Sequence, residues 1–285
     1  AEHGVLVRSG EALQTASKLT TLVVDKTGTL TQGKPSVTDA QMFGVEQSTV
    51  LALVHALERS SEHPLAAALM TYAEDHDANP AEINGFDSVT GGGVKAKTAD
   101  GKALLLGNAR LLNEAGVDLK AGEEQARALE EQARTLVYLA VDGKLAALFG
   151  ISDPLRHDTV AAIKRLQKDG LTIVMLTGDN EHTARAIAQE VGIDEFRAGL
   201  LPEDKHAEIE RRQKAGEIVG MVGDGINDAP ALARANVGFA IGQGTDVAIE
   251  SAGITLMRGS LHGVASAIEI SRATLRNIKQ NLVGA

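Results

Sequence analysis

Three short apolar runs in this chain each break into a polar turn that carries both Gly and Asp. Leu22-Val23-Val24 runs into Asp25-Lys26-Thr27-Gly28-Thr29, residues 171–176 into Thr177-Gly178-Asp179, and residues 218–222 into Gly223-Asp224-Gly225-Ile226-Asn227-Asp228. Short runs rich in Val, Ile and Leu read as strands buried on both faces. Between them lie helical patterns at 158–168, 181–191 and 203–215, followed by Gly170, Gly192 and Gly216, residues suited to a left-handed helix end. A helix at 229–235 and a strand at 237–241 continue the alternation. Alternating strands and helices dictate right-handed crossovers and an α/β, doubly wound parallel sheet. In such sheets ligands bind beyond the carboxyl ends of the strands. Asp25, Thr177 and Asp224 are therefore expected to face one site despite their separation in sequence.

The stretch after the first strand has a different texture. Helical patterns at 47–59 and 65–76 precede short alternating strands, with hairpin signals at Asp100-Gly101 and Asp142-Gly143. This predicts an α+β insert at 38–149 in a domain made of 1–37 and 150–270, with a terminal helix at 271–285. A chain of 285 residues has room for both domains. A net charge of −10 argues against nucleic acid as a partner. The absence of cysteine excludes disulfides, zinc fingers and thiol chemistry. No apolar run reaches the roughly 18–20 residues of a membrane span. The start at Ala1 and the apolar close at Asn281-Leu282-Val283-Gly284-Ala285 read as cuts from a longer protein.

Asp25-Lys26-Thr27-Gly28-Thr29-Leu30-Thr31 resembles the phosphorylation motif of P-type ATPases, whose core has the haloacid dehalogenase fold. The resemblance continues through Asp153-Pro154, Thr177-Gly178-Asp179 and Gly223-Asp224-Gly225-Ile226-Asn227-Asp228-Ala229-Pro230. It implies that the γ-phosphate of ATP passes to Asp25, with Lys205, Thr177 and Asp228 also catalytic. Mg²⁺ would be held by Asp25, the Thr27 carbonyl and Asp224. Thr27, Thr177, Gly178, Asp179, Lys205 and Asn227 would bind phosphate. Phosphatases of that fold usually place a second Asp two residues after the nucleophile. Thr27 stands there in this chain and cannot act as a carboxylic acid near neutral pH.

Ser61-Glu62-His63-Pro64-Leu65 reads locally as a helix start with Pro in its first turn. It is also similar to a signature of heavy-metal P-type ATPases, which implies that His63 contacts adenine and Glu62 supports it. Gly91 and Gly93, in a glycine triplet that could simply form a turn, match the same family's nucleotide loop, as do Gly107 and Asn108. The insert then becomes the nucleotide-binding domain. The wording of Gly10-Glu11-Ala12-Leu13, Leu200-Leu201-Pro202-Glu203-Asp204-Lys205 and Ile254-Thr255-Leu256-Met257 resembles bacterial copper exporters more than zinc or cadmium exporters. The implied protein is an inner-membrane copper exporter of which this is a cytoplasmic, monomeric part. Cu(I) would bind a membrane domain outside this stretch, and an actuator domain would complete the machine. A zinc or cadmium exporter, a stand-alone phosphatase of the same fold and a non-catalytic ATP sensor are the alternatives.

Overall fold

The chain enters through strand β1 (Val5–Val7), helix α1 (Gly10–Ala16) and strand β2 (Thr21–Asp25). It then passes through β3 (Ser36–Met42), α2 (Gln47–Glu58), α3 (Pro64–Asp75), β4 (Ile83–Val89), β5 (Gly93–Thr98) and β6 (Ala103–Gly107). Next come α4 (Ala109–Glu114), α5 (Glu123–Glu131), β7 (Thr135–Val141) and β8 (Lys144–Ser152). The alternation resumes with α6 (Thr159–Lys168), β9 (Thr172–Leu176), α7 (Glu181–Val191), β10 (Glu195–Arg197), α8 (Pro202–Lys214) and β11 (Val219–Gly223). It closes with α9 (Ala229–Arg234), β12 (Val237–Ile241), β13 (Ile254–Leu256) and α10 (Leu261–Val283). This computed structural model describes residues 4–61, 63–223, 228–241, 250–256 and 259–284. Among them, no helix is long and apolar enough to cross a membrane.

Two compact units result, Ala1–Gly33 with Leu155–Ala285, and Lys34–Pro154. In the first, the described residues form a seven-stranded sheet in the order β1-β13-β12-β11-β2-β9-β10. All its pairings are parallel except that of β1 with β13. Every residue of β2, β11 and β12 is buried, as the unbroken apolar runs demand. Register does the decisive work. Asp25 lies opposite Leu176 and Val24 opposite Val222, so the Asp25 and Thr177 turns leave neighbouring strands at one level. The C-terminal turn of α7 is closed by Gly192 at φ 87°, the left-handed geometry expected from its sequence.

The second unit is a six-stranded antiparallel sheet in the order β3-β8-β7-β6-β5-β4. Side chains alternate across it with period two. Val137 and Leu139 of β7 join Val50, Val54, Leu57 and Leu69 of α2 and α3, while Leu136 and Tyr138 join Leu111, Leu112 and Leu129 of α4 and α5. The Asp142-Gly143 turn has φ of 52° and 78°, the two positive values that a tight hairpin needs. The units divide at 33/34 and 154/155 instead of at 37/38 and 149/150. The reason is that β3 pairs with β8 from Ser36↔Ser152 onward, drawing both connecting segments into the smaller sheet.

Candidate functional site

At the carboxyl end of β2 the Asp25 carboxylate accepts from Lys205 Nζ at 2.7 Å, and the same ammonium donates to Asp228 at 3.0 Å. Lys205 comes from the first turns of α8, whose entry is fixed by the Asp204 carboxylate accepting the Leu201 N–H at 2.8 Å. Asp228 is 2% exposed, and Gly223 makes room for it: a Cβ there would sit 2.6 Å from Asp228 Oδ2. Two carboxylates thus share one cation. Burial, and then the Asp228 charge, push the Asp25 carboxyl well above the usual carboxylate range, while Lys205 pulls it back. Burial alone would lower the Lys205 pKa, but the two carboxylates more than offset it, so its pKa rises and it stays charged.

Thr177 is buried, and its Oγ1 accepts the Asp179 N–H at 3.0 Å. Its own hydroxyl proton is left for an oxygen in the crevice. Gly178 is exposed beside it. The Asp179 carboxylate is drawn onto Lys26 Nζ at 2.5 Å, with both side chains below 10% exposed. Asp179 thereby ties the Thr177 turn to the residue after Asp25. Thr27 is exposed, with φ −72° and ψ 122°, and Gly28 follows at φ 77° and ψ −8°. These are the dihedrals of a type II turn, whose second central residue calls for glycine. Asp224 and Asn227, expected in this site, lie outside the described residues.

The oxygen chemistry suits a hard divalent cation. With both carboxyls ionised, Asp25 and Asp228 would carry more negative charge than Lys205 neutralises, and a main-chain carbonyl at exposed Thr27 stands after the nucleophile. Carboxylate and carbonyl oxygens are what Mg²⁺ prefers.

In the second unit, His63 is the N-cap of α3, and its Nδ1 accepts the Leu65 N–H at 3.1 Å. That bond places the ring proton on Nε2. The residue keeps an exposed face, yet desolvation on its packed side lowers its pKa, and the cap favours the same neutral form. Gly93 and Gly107 have a local explanation: a Cβ on Gly93 would lie 2.0 Å from the Leu106 carbonyl oxygen, and one on Gly107 would lie 2.1 Å from that of Gly92. Gly91 adopts φ 69°. Asn108 caps α4 by accepting the Leu111 N–H at 2.9 Å and donates to the Gly91 carbonyl at 2.7 Å. It therefore joins the two glycine motifs, which the sequence offered as separate signals. Glu62 lies outside the described residues.

Comparison with known proteins fits both units. A family profile described as haloacid dehalogenase-like hydrolase matches residues 19–236. The chain belongs to the haloacid dehalogenase-like hydrolases. Within that family it is similar to heavy-metal P-type ATPases. It is 50% identical over 283 residues to a copper-transporting P-type ATPase of Rhizobium leguminosarum bv. viciae, with 99% of this chain and 34% of the relative covered. The haloacid dehalogenase-like chain thus spans about a third of that relative's length. It is also similar to the solved catalytic domain of the CPx-ATPase CopB-B, with a TM-score of 0.73, 29% identity, and 95% and 96% of the two chains covered. A zinc-transporting PIB-type ATPase in an E2.Pi state gives a TM-score of 0.65 and 37% identity, covering 98% of this chain and 45% of that one.

The sequence reading passed over Glu58, five residues before His63. It lies on the buried stripe of α2 formed by Leu51, Val54 and Leu57, and is 6% exposed. Its carboxylate has no hydrogen-bond partner among the described residues, and burial pushes its pKa up to about 7. The signal was available: a glutamate at a position that helical periodicity assigns to the core.

Proposed function

We propose that this chain is the catalytic part of an ATP-driven metal exporter, and that Asp25 accepts the γ-phosphate. The observation that carries this reading is the buried Asp25–Lys205–Asp228 cluster at the end of β2. A bond forms between an Asp25 carboxylate oxygen and the γ-phosphorus while the bond to the β,γ-bridging oxygen breaks, and ADP leaves with that electron pair. Water later attacks the phosphorus, releasing orthophosphate and restoring the carboxylate. Lys205 offsets charge on the transferred group. Thr177 and Gly178 donate to its oxygens, Asn227 supports it, and Asp179 acts by holding Lys26. Mg²⁺ would be held by Asp25, the Thr27 carbonyl and Asp224; when bound it neutralises triphosphate charge. Thr27 in place of a second Asp favours a long-lived phosphoenzyme over a phosphatase.

The insert takes the nucleoside. His63 offers a neutral ring for stacking, and Glu62 is the proposed carboxylate for the exocyclic amine, with Glu58 a second carboxyl of the same domain. The Gly91–Gly93 loop, held by Asn108, admits the nucleotide to the backbone. Cu(I) is the proposed cargo because the 50%-identical relative is named as a copper transporter. Zinc is the second reading, favoured by the zinc-transporting structural neighbour at 37% identity. The proposed setting is the cytoplasmic side of a bacterial inner membrane, with ATP and the protein's own membrane and actuator regions as partners.

Asp25→Asn tests the nucleophile, since a neutral amide cannot form the acyl phosphate. The variant is expected to fold yet lose all acid-stable, hydroxylamine-labile label from γ-labelled ATP. Label of that kind on the peptide that carries the substitution would remove the assignment.

A further inference from the structure

The peptide groups on both sides of Gly28 are pinned. The Gly28 N–H donates to Thr31 Oγ1 at 3.0 Å, and the Gly28 carbonyl accepts from Arg156 Nη2 at 2.8 Å. Arg156 is itself anchored, because its backbone N–H donates to the Leu30 carbonyl at 3.0 Å. That carbonyl also accepts from Thr159 Oγ1 at 2.8 Å, and Leu155 bridges Thr31 as an antiparallel partner. The arginine is half-buried, and its Nε is buried with no hydrogen-bond partner among the described residues. An N–H in that position costs about 1–3 kcal/mol. A solubilising surface arginine would not incur that cost.

What the contact holds is a choice between two backbone states. Glycine at the second central position of a turn accepts both the type II and the type I form. They differ by a flip of the peptide between Thr27 and Gly28, which reverses the Thr27 carbonyl. Here the N–H end of that peptide faces Thr31, so the trans carbonyl of Thr27 points the opposite way. The Arg156 contact fixes the next peptide in line. We propose that Arg156 is a positioning residue for phosphoryl transfer, its guanidinium holding the Gly28 carbonyl so that the turn after Asp25 keeps one orientation of the Thr27 carbonyl. This rests on the reading of Asp25 as the phosphoryl acceptor. The contact is a directed hydrogen bond rather than a point charge, so an ammonium on a flexible four-carbon stem, without the planar fork, does not replace it.

The test uses the 285-residue chain with Arg156→Gln and Arg156→Lys. Single-turnover labelling from γ-labelled ATP is followed across a Mg²⁺ series. ATP affinity is measured separately by calorimetry, and amide hydrogen exchange at Gly28 and Thr31 is measured without nucleotide. Both variants are expected to label at least about tenfold more slowly, the scale of losing one 1.4 kcal/mol orienting contact. They should need more Mg²⁺ for half-maximal rate, exchange faster at both amides, and keep an ATP affinity within about twofold of the parent, a difference under 0.5 kcal/mol. Lysine restoring the labelling rate would make Arg156 a charge on the phosphoryl group and overturn the proposal. Unchanged exchange would overturn it too, as would wild-type labelling by the glutamine variant. A parent chain that takes no label would instead overturn the Asp25 reading, and the exchange rates would still decide whether Arg156 holds the turn. If the glutamine variant fails to fold, the lysine variant keeps the charge and most of the stem, and it carries the comparison.

Discussion

The Asn108 amide accepts the Leu111 N–H through Oδ1 and donates through Nδ2 to the Gly91 carbonyl, and one substitution separates the two. An aspartate at this position would still cap α4, since carboxylates are good N-caps, but it has no donor for Gly91. Asn108→Asp is therefore expected to keep the melting temperature near that of the parent. It should weaken ATP binding by about 1 kcal/mol, roughly fivefold, the net worth of one hydrogen bond. Calorimetric titration with ATP, paired with the amide NMR shift of Gly92 in the nucleotide-free chain, checks this. A shifted Gly92 amide with full affinity would mean that the loop orders itself once nucleotide arrives. Gly93 and Gly107 are poorer probes. Methyls there would collide with backbone oxygens at 2.0 and 2.1 Å, so lost binding could not be told from a damaged sheet.

At the scale of elements, α2 carries a charge problem on its buried stripe. In the unfolded chain the Glu58 carboxyl titrates near 4.5, whereas burial in the fold pushes it to about 7. Between those values the folded chain holds a proton that the unfolded chain has released. Stability should therefore fall as pH rises from about 4.5 to 7 and level off above it. The shift corresponds to at most about 3–4 kcal/mol. Both tyrosines of the chain, Tyr72 and Tyr138, lie in the 34–154 unit, and there is no tryptophan. Tyrosine fluorescence during urea denaturation therefore reports this unit alone. The parent midpoint is expected to drop across that pH window relative to that of Glu58→Gln, whose own slope keeps the small opposite contribution of His63; parallel slopes would place the proton elsewhere. Elements of this kind divide what was legible in the sequence from what was not. β2, β9 and β11 announced themselves because a strand buried on both faces needs an apolar run, and their polar turns marked the site. β1 did not, because three residues carry no periodicity and its partner, β13, lies at the far end of the chain. The double role of Asn108 was hidden for a similar reason, since a side chain shared between two turns exists only after folding, whereas Glu58 was legible as a charge on the apolar stripe of α2.

At the scale of the whole molecule, the proposed ligands are a hard cation and an anionic nucleotide. Its described residues hold no group of three or more His, Cys, Asp and Glu side chains able to bind a metal ion. Cys is absent from the sequence altogether, and the five Met and eight His are scattered through it. Cu(I) seeks soft thiolate and thioether ligands, and a ligand shifts a conformational equilibrium only through differential affinity for its states. On the proposed reading, the ligands that sense cargo belong to a membrane region outside these 285 residues. On the same reading, the carboxylates around Lys205 would answer instead to Mg²⁺. ATP turnover by this chain is therefore expected to be slow, to stop when Mg²⁺ is chelated, and to be indifferent to low-micromolar Cu(I). An ATPase assay under reducing conditions, with buffered Cu(I) and with and without a copper chelator, makes the measurement. Saturable, several-fold activation that the chelator reverses would place a regulatory copper site within this chain and detach cargo sensing from the membrane.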